Sequence, residues 1–219
     1  MYGCRMRAKS EHLELLLRPY EPGEAQAMLP GMQSLSVMKY LGHRQAQTLQ
    51  LETDWLTKVS TDASRTTWAI CVLEDGVDRP IGTTDLKISE TKSYIGSSGI
   101  VLYDSSWWGK GVATLAHLAR TRYAFEVLDL CAIYSGAYKG NLGSCRALDR
   151  VGYVATGTRY HLDIVDGQVC HAVDLLLVNP NERSWNFFWG DSLVPQEFHD
   201  ARQRTCDALA RAQHQVEYL

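Results

Sequence analysis

The segment SSWWGKGVAT, Ser105 to Thr114, constrains this chain more than any other. Before it stands YIGSSGIVLYD, an apolar run with internal glycines that reads as a strand with a bulge or a close backbone approach. After it, Val112, Leu115, Ala116, Ala119 and Tyr123 recur at helical spacing and predict one buried helix face. The order strand, glycine-rich turn, helix places unpaired amides and the positive end of a helix dipole directly beyond a strand end. Successive amides in such a turn form a concave nest for anion oxygens. A phosphate-bearing ligand is the expected occupant. The alternative is a plain turn whose glycines serve only to reach positive φ.

The rest of the chain gives that turn its setting. LELLLRP reads as a strand closed by Pro19. GEAQAML and MQSLSVMKYLG read as short helices, and AQTLQLETDWLTKVS as a longer one. TWAICVLE and IGTTDLKIS form a hairpin across DGVDRP, and CAIYSGAY is a buried strand. Asn141 caps a helix running to Val151, with Gly152 at its C′ position. YVATGTRYHLDIV and HAVDLLLV close a last hairpin through DGQ. Beyond Pro180 the composition shifts to an aromatic, loop-like stretch and then a polar helix with a thin stripe through Phe198, Thr205 and Leu209. Residues 181–219 are therefore read as an extension that packs on the preceding domain or on a partner.

The chain's 219 residues, 45% of them hydrophobic, suffice for one large domain with a real core. A net charge of −3 gives no electrostatic case for nucleic acid. No apolar run reaches the roughly 18 residues of a membrane helix, and the charged opening lacks the apolar region of a secretory signal. Cys4, Cys71, Cys131, Cys145, Cys170 and Cys206 show no metal-ligand or disulfide spacing. They read as free thiols in a reducing cytoplasm.

Among known phosphate turns, the P-loop fails because Lys110 is followed by Gly111 and no glycine stands five before Gly109. The dinucleotide fingerprint fails because Thr114 stands at the third glycine and the turn does not follow a first strand. Trp108-Gly109-Lys110-Gly111-Val112-Ala113 instead resembles the pyrophosphate signature of GNAT-superfamily N-acetyltransferases, [QR]-x-x-G-x-[GA]. Tryptophan in its first position is common in the RimJ/RimL branch. NLGSCRALDRVGY resembles that branch's N-x-x-S-x-R-x-x-x-x-x-G-[FY], and LLLRPYEPGEA its opening. The likeness covers about residues 12–179 in the right order.

The resemblance implies an α/β (α+β) GNAT fold over residues 1–180. Its mixed central sheet has six to seven strands, splayed between the fourth and fifth and flanked by helices, with the C-terminal helical extension at 181–219. It implies acetyl-CoA, or coenzyme A, as the cofactor. Trp108 and the amides of Gly109, Lys110, Gly111, Val112, Ala113 and Thr114 would hold the pyrophosphate. Trp107 and Trp108 would wall the phosphates or pack under the strand. The splay would hold the pantetheine arm like an added strand, with the backbone groups of Val101 and Tyr103 as candidate partners and one amide there as oxyanion donor. Asn141 is weighed between helix cap and pantetheine ligand. Many GNAT enzymes place a Tyr seven residues after this Asn to protonate the departing thiolate; here that position is Leu148, and Ser144 takes the role, against a merely structural hydrogen bond.

The general base is not legible. Asp104, Asp85, Glu90, His161, Asp163 and Asp174 are candidates, Asp104 first because it adjoins the cofactor strand. No metal site is expected, since His161 and Asp163 lack a third ligand at a recognisable spacing. Cys145 as a covalent nucleophile is weighed against a small buried thiol. The expected function is direct acetyl transfer to a primary amine, on a small molecule such as an aminoglycoside or at a protein N-terminus. The competing reading is a non-catalytic coenzyme A-binding module. Residues 185–189 read as an acceptor-pocket wall or a subunit contact, which admits a homodimer; neither nucleic acid nor membrane is expected as a partner.

Overall fold

β-branched and leucine-rich runs of period two build a single sheet, and the helices lie against it. The computed structural model describes residues 3–21, 23–42, 45–74 and 76–219. The strands are β1 (Met6–Lys9), β2 (Glu14–Arg18), β3 (Arg65–Glu74), β4 (Val77–Ile88), β5 (Ile95–Leu102), β6 (Ala132–Tyr138), β7 (Val154–Val165), β8 (Gln168–Val178) and β9 (Val216–Tyr218). They form one nine-stranded sheet in the order β7-β8-β6-β5-β4-β3-β2-β1-β9. Every neighbouring pair is antiparallel except β5 and β6.

The sheet thus holds nine strands, where six to seven are expected from sequence. The two additional strands are β1 and β9, which pair with each other at the sheet edge. Each is four residues or fewer and polar on alternate positions, so neither carries a periodic signal of its own. The seven expected strands all form, and the splay falls between the fourth and fifth of them, β5 and β6.

The helices are α1 (Ala25–Met32), α2 (Leu35–Met38), α3 (Leu49–Thr61), α4 (Val112–Arg122), α5 (Leu142–Asp149), α6 (Glu182–Trp189) and α7 (Gln196–Gln215). The aromatic stretch expected to be a loop is α6. Asn181 caps it by accepting the Ser184 N–H at 2.7 Å, and Trp185 is buried beneath it. Thr48 likewise caps α3 through the Leu51 N–H at 3.2 Å.

The main core lies between the sheet and α4, joined by Ala208, Ala212 and Val216 from the C-terminal segment. A second cluster under α1 and α2 gathers Met28, Val37 and Tyr103. A third joins Val154, Leu176, Trp185 and Phe198. The composition changes at Pro180 but the core continues across it. α7 lies against α4, and a Cβ on Gly152 would stand 2.1 Å from the Thr205 Oγ1, so only hydrogen fits that contact.

α4 departs from a simple one-faced helix. Val112, Leu115, Ala116 and Ala119 are buried as expected, but so are His117, Leu118, Arg120 and Thr121. α7 and α5 cover the side that an amphipathic helix would present to water. Among the described residues, no helix is long and apolar enough to cross a membrane.

Candidate active site

β5 and β6 pair over only three positions, Ile95↔Ala132, Gly96↔Ile133 and Ser97↔Tyr134. Beyond that point they diverge. Hydroxyls stitch the apex: the Ser135 Oγ donates to the Ser98 carbonyl at 3.2 Å, and the Ser98 Oγ to the Tyr134 carbonyl at 3.5 Å. A cavity of about 950 Å³ opens between the strands. Its walls are Ile100–Leu102 of β5, Gly136–Tyr138 of β6, the glycine turn, the start of α5, and Lys39–Leu41 beyond α2.

Which backbone groups of β5 face the gap follows from alternation. The carbonyls of Tyr94 and Ser98 both accept from β6 or its approach, at 2.8 and 3.2 Å, whereas the Ile95 carbonyl accepts from Ser89 beside β4 at 2.9 Å. The β4–β5 register then runs unbroken from Ile88↔Gly96 to Gly82↔Leu102. Ile100 and Leu102 therefore turn their amides and carbonyls toward the gap, and Val101 turns its own toward β4. This corrects the expected pair. Val101 lines the cavity only with its side chain. Tyr103 lies past the strand end, its ring buried with Met28 and Val37. Its carbonyl packs so closely on α1 that a Cβ on Gly31 would sit 2.2 Å away. The Leu102 carbonyl is already taken by the Trp108 indole N–H at 3.0 Å. Ile100 is left as the open backbone position in the cleft.

The turn is built by conformation and not by crowding. Gly109 and Gly111 have φ of +75° and +87°, and no atom lies within 4 Å of a Cβ placed on either. Side chains are strained at such angles. Gly111 is the N-cap of α4, so the amides that follow open into the cavity. Trp108, Gly109, Gly111, Val112, Ala113 and Thr114 all line it. Lys110 does not: its ammonium sits 4.8 Å from the Trp107 ring centroid, a cation–π contact on the outer side of the turn. Trp107 packs on the main core and Trp108 staples the turn to the end of β5. Bulky rings thus anchor a segment whose glycines expose its amides. Arg146 of α5 and Arg150 at its C-terminal end add positive charge to the lining. Amides, a helix N-terminus and two guanidiniums suit the pyrophosphate of coenzyme A, and the open strand gap suits its extended arm.

On α5, Asn141 accepts the Ser144 N–H at 3.2 Å and so acts as the cap. Both residues line the cavity, with Ser144 half-buried. Leu148 is 1% exposed in the main core and does not reach the cleft. The Cys145 thiol donates to the Tyr138 carbonyl at 3.7 Å, and burial pushes its pKa up, the opposite of an activated nucleophile.

The acidic candidates lie outside the cleft. Asp104 accepts from Arg79 at 2.8 Å and from the Ser106 hydroxyl at 2.6 Å. Burial raises its pKa, but these hydrogen bonds outweigh burial and hold the carboxyl below its usual range. It does not line the cavity. A carboxylate so engaged and so placed is not the base, which corrects the expectation for Asp104. Asp85 is tied to Arg65 at 2.6 Å, and Asp174 to Arg159 at 2.8 Å. Asp163 accepts from the Tyr138 hydroxyl at 3.4 Å. Among the described residues the ionisable lining consists of Lys39, Tyr40, Tyr138, Arg146, Arg150 and Arg159, with no carboxylate or imidazole. No group of three His, Cys, Asp or Glu gathers among the described residues.

The family model of the acetyltransferase (GNAT) domain matches residues 14–154, which contain the turn, the splay and α5. The structure resembles Vibrio cholerae spermidine N-acetyltransferase solved with CoA and spermine, at a TM-score of 0.66 and 17% identity over 75% of this chain and 95% of that one. It also resembles a GNAT-family acetyltransferase from Bacillus anthracis, at a TM-score of 0.64 and 18% identity over 78% of this chain and 98% of that one. No curated protein matches the sequence. A sheet splayed beside a glycine turn at a helix N-terminus, over a segment that the family model spans, places this chain in the GNAT acetyltransferase family, and it is an acyltransferase that draws its acetyl group from acetyl-CoA.

Proposed function

We propose that this chain is a RimJ/RimL-like N-acetyltransferase that moves the acetyl group directly from acetyl-CoA to a protein N-terminal α-amine. Acetyl-CoA supplies an activated thioester. The turn amides from Trp108 to Thr114 and the guanidiniums of Arg146 and Arg150 would hold its phosphates. The Ile100 N–H would meet the charge that builds on the thioester oxygen as the amine nitrogen adds to the carbonyl carbon. The C–S bond then breaks; Ser144 would donate a proton to the departing sulfur and recover one, through water, from the nitrogen that becomes the amide. Direct transfer is supported by the lack of an activated nucleophile among the described lining residues; Cys145, beside Ser144, is hydrogen-bonded and burial pushes its pKa up.

The observation that carries the acceptor is the lining itself, which among the described residues is cationic and holds no carboxylate or imidazole. An α-amine, with a pKa of about 7.7–8.0, has a substantial neutral fraction at neutral pH and needs no dedicated base. The alkylamine groups of a polyamine, near the lysine value of about 10.4, are almost fully charged there. Polycations such as aminoglycosides would also meet Lys39 and Arg159, whose carboxylate partners Asp166 and Asp174 are already engaged and do not line the cavity.

Release of free thiol from acetyl-CoA, measured with a panel of amines, tests this. A peptide with a free α-amine should be turned over, and its α-blocked, lysine-containing counterpart, spermidine and an aminoglycoside should be poor acceptors. Preference for spermidine or the aminoglycoside would reverse the acceptor assignment. Binding of acetyl-CoA with no thiol release for any amine would favour the non-catalytic module.

A further inference from the structure

Behind the cleft wall lies a buried cation that the reaction as described does not use. Arg120 is 0% exposed. Its Nη1 donates to the Thr84 Oγ1 at 2.7 Å and to the Gly99 carbonyl at 3.0 Å, and its Nη2 to the Tyr153 hydroxyl at 3.4 Å. Thr84 also donates to the Gly99 carbonyl, at 2.8 Å. Among the described residues no carboxylate stands within ion-pair distance of Arg120. Its neighbour on α4, His117, is fully buried, and burial together with the Arg120 charge keeps that imidazole neutral. An arginine stays protonated wherever it is placed. A charge with no carboxylate partner among the described residues therefore sits in the core, and the one backbone group it engages is the Gly99 carbonyl.

That peptide is the informative one. The Gly99 carbonyl and the Ile100 N–H belong to the same planar trans unit and point in opposite directions. The carbonyl faces Arg120, and the N–H faces the gap between β5 and β6, by the alternation established above. A cation on the carbonyl draws electron density from the unit and makes its N–H a stronger donor. The preceding peptide is held on the β4 side as well. The Gly99 N–H donates to Asp85 at 2.8 Å, and a Cβ on Gly99 would stand 2.9 Å from that carboxylate oxygen.

We infer that Arg120 is a positioning residue that orients and polarises the Gly99–Ile100 peptide so that the Ile100 N–H activates the thioester carbonyl. The inference rests on the proposed placement of the thioester at Ile100. A purely structural clamp between α4, β4 and Tyr153 needs hydrogen-bond donors, not a buried charge. Burying an unpaired guanidinium is costly, and a neutral side chain would avoid that cost.

The test compares the wild type with Arg120→Gln, which keeps donors without charge, and Arg120→Met, which keeps volume alone. Each is checked for folding by circular dichroism and titrated calorimetrically with acetyl-CoA. The carbonyl stretch of bound [13C-carbonyl]acetyl-CoA is then read by infrared difference spectroscopy, and turnover is read at saturation. In the variants the band should move toward its free-solution position, and turnover should fall about tenfold, with acetyl-CoA affinity within about threefold of wild type. Loss of a whole oxyanion donor costs about 10²–10³ in turnover, so a weakened donor costs less. Arg120→Lys, which returns the charge, should restore part of the band shift. If Arg120→Met does not fold, Arg120→Gln carries the test. A folded Arg120→Gln with the wild-type band and wild-type turnover would reduce Arg120 to a clamp. Failure of the wild type to bind acetyl-CoA would instead overturn the cofactor placement on which the inference stands.

Discussion

The two ends of the cleft are made of different material. At the end proposed for coenzyme A the groups that would face the ligand are main-chain amides, presented by two glycines at positive φ and the first turn of α4. At the opposite end, proposed for the acceptor, the lining is side chains: Lys39 and Tyr40 beyond α2, Tyr138 on β6, Arg159 and Leu162 on β7. An amide nest is specified locally, because a few consecutive residues must adopt fixed backbone angles. It leaves a motif of fixed spacing. A side-chain pocket is specified only by the tertiary fold, and its residues are scattered along the chain with neighbours that serve other ends. The first is tied to one invariant ligand part, a pyrophosphate. The second can change with single substitutions.

The sharpest break between the ends is expected from a pair of variants. Gly111→Val forces a branched side chain into the left-handed region, which disfavours the binding-competent turn by about 1–2 kcal/mol, or roughly 5- to 30-fold in affinity. Its methyls would also stand at the amides, so acetyl-CoA binding should weaken about 100-fold or more by calorimetry while the protein remains folded. Arg159→Ala removes a half-exposed side chain of the other end, whose salt bridge to Asp174 contributes little on its own. Acetyl-CoA affinity should be unchanged, and only the KM for the amine should shift. Should Gly111→Val bind as the wild type does, or Arg159→Ala lose acetyl-CoA, the division of the cleft would be wrong.

The junction between the ends is read by Ser144, which is placed on α5 by the Asn141 cap and lines the cavity. A thiol is a fair leaving group, with a pKa near 8.5, and needs modest help. A positioned acid contributes about 10²–10⁴-fold at most. Ser144→Ala is expected to lower turnover by roughly one to two orders of magnitude with acetyl-CoA affinity preserved. Wild-type turnover under conditions where chemistry is rate-limiting would remove the assignment. Weaker cofactor binding with turnover kept would make Ser144 a ligand.

What the sequence shows and hides follows the same division. The turn, α4, the Asn141 cap, the seven periodic strands and the position of the splay are legible because each is set by local spacing. The choice of Val101 and Tyr103 over Ile100 failed on parity. A one-residue step along a strand reverses which neighbour the backbone faces, and hydrophobicity at Ile100, Val101 and Tyr103 does not distinguish them. Asp104 failed because proximity in sequence says nothing about Arg79, which reaches it from another strand. Strands β1 and β9 exist through each other and are too short to announce themselves. Arg120 escaped notice because a charged residue in a helix is read as solvent-facing, whereas this one lies one turn after Ala116 on the side of α4 that meets β4 and β5. The one local hint was that His117, Arg120 and Thr121 interrupt no apolar pattern yet stand opposite no run of acids.

α4 links the two ends, and its buried side predicts the smallest effect. Both ring nitrogens of His117 are buried without a hydrogen-bond partner. Burial, and then the Arg120 charge, depress its proton affinity well below the usual imidazole value. The unfolded chain takes up a proton near pH 6.5 that the folded chain refuses. Stability from this group is therefore fully present above pH 6.5 and is lost as pH falls below it, at up to about 1.4 kcal/mol per pH unit. The carboxyls of Asp62, Glu74, Asp78 and Asp104 are held below their usual range, so their loss sets in at lower pH, and burial holds the Glu52 carboxyl above its range, so its protonation favours the folded chain; among these groups only His117 lowers stability between about pH 6.5 and 4.5. Urea midpoints at pH 7.5, 6.5, 5.5 and 4.5 should fall through that window in the wild type and stay nearly level in His117→Leu. Cofactor affinity at pH 7.5 should be the same in both, because the imidazole is neutral there and lies on the body of α4, away from its amide-bearing end. An equal slope in the variant would move the acid sensitivity to another group and leave His117 as packing alone.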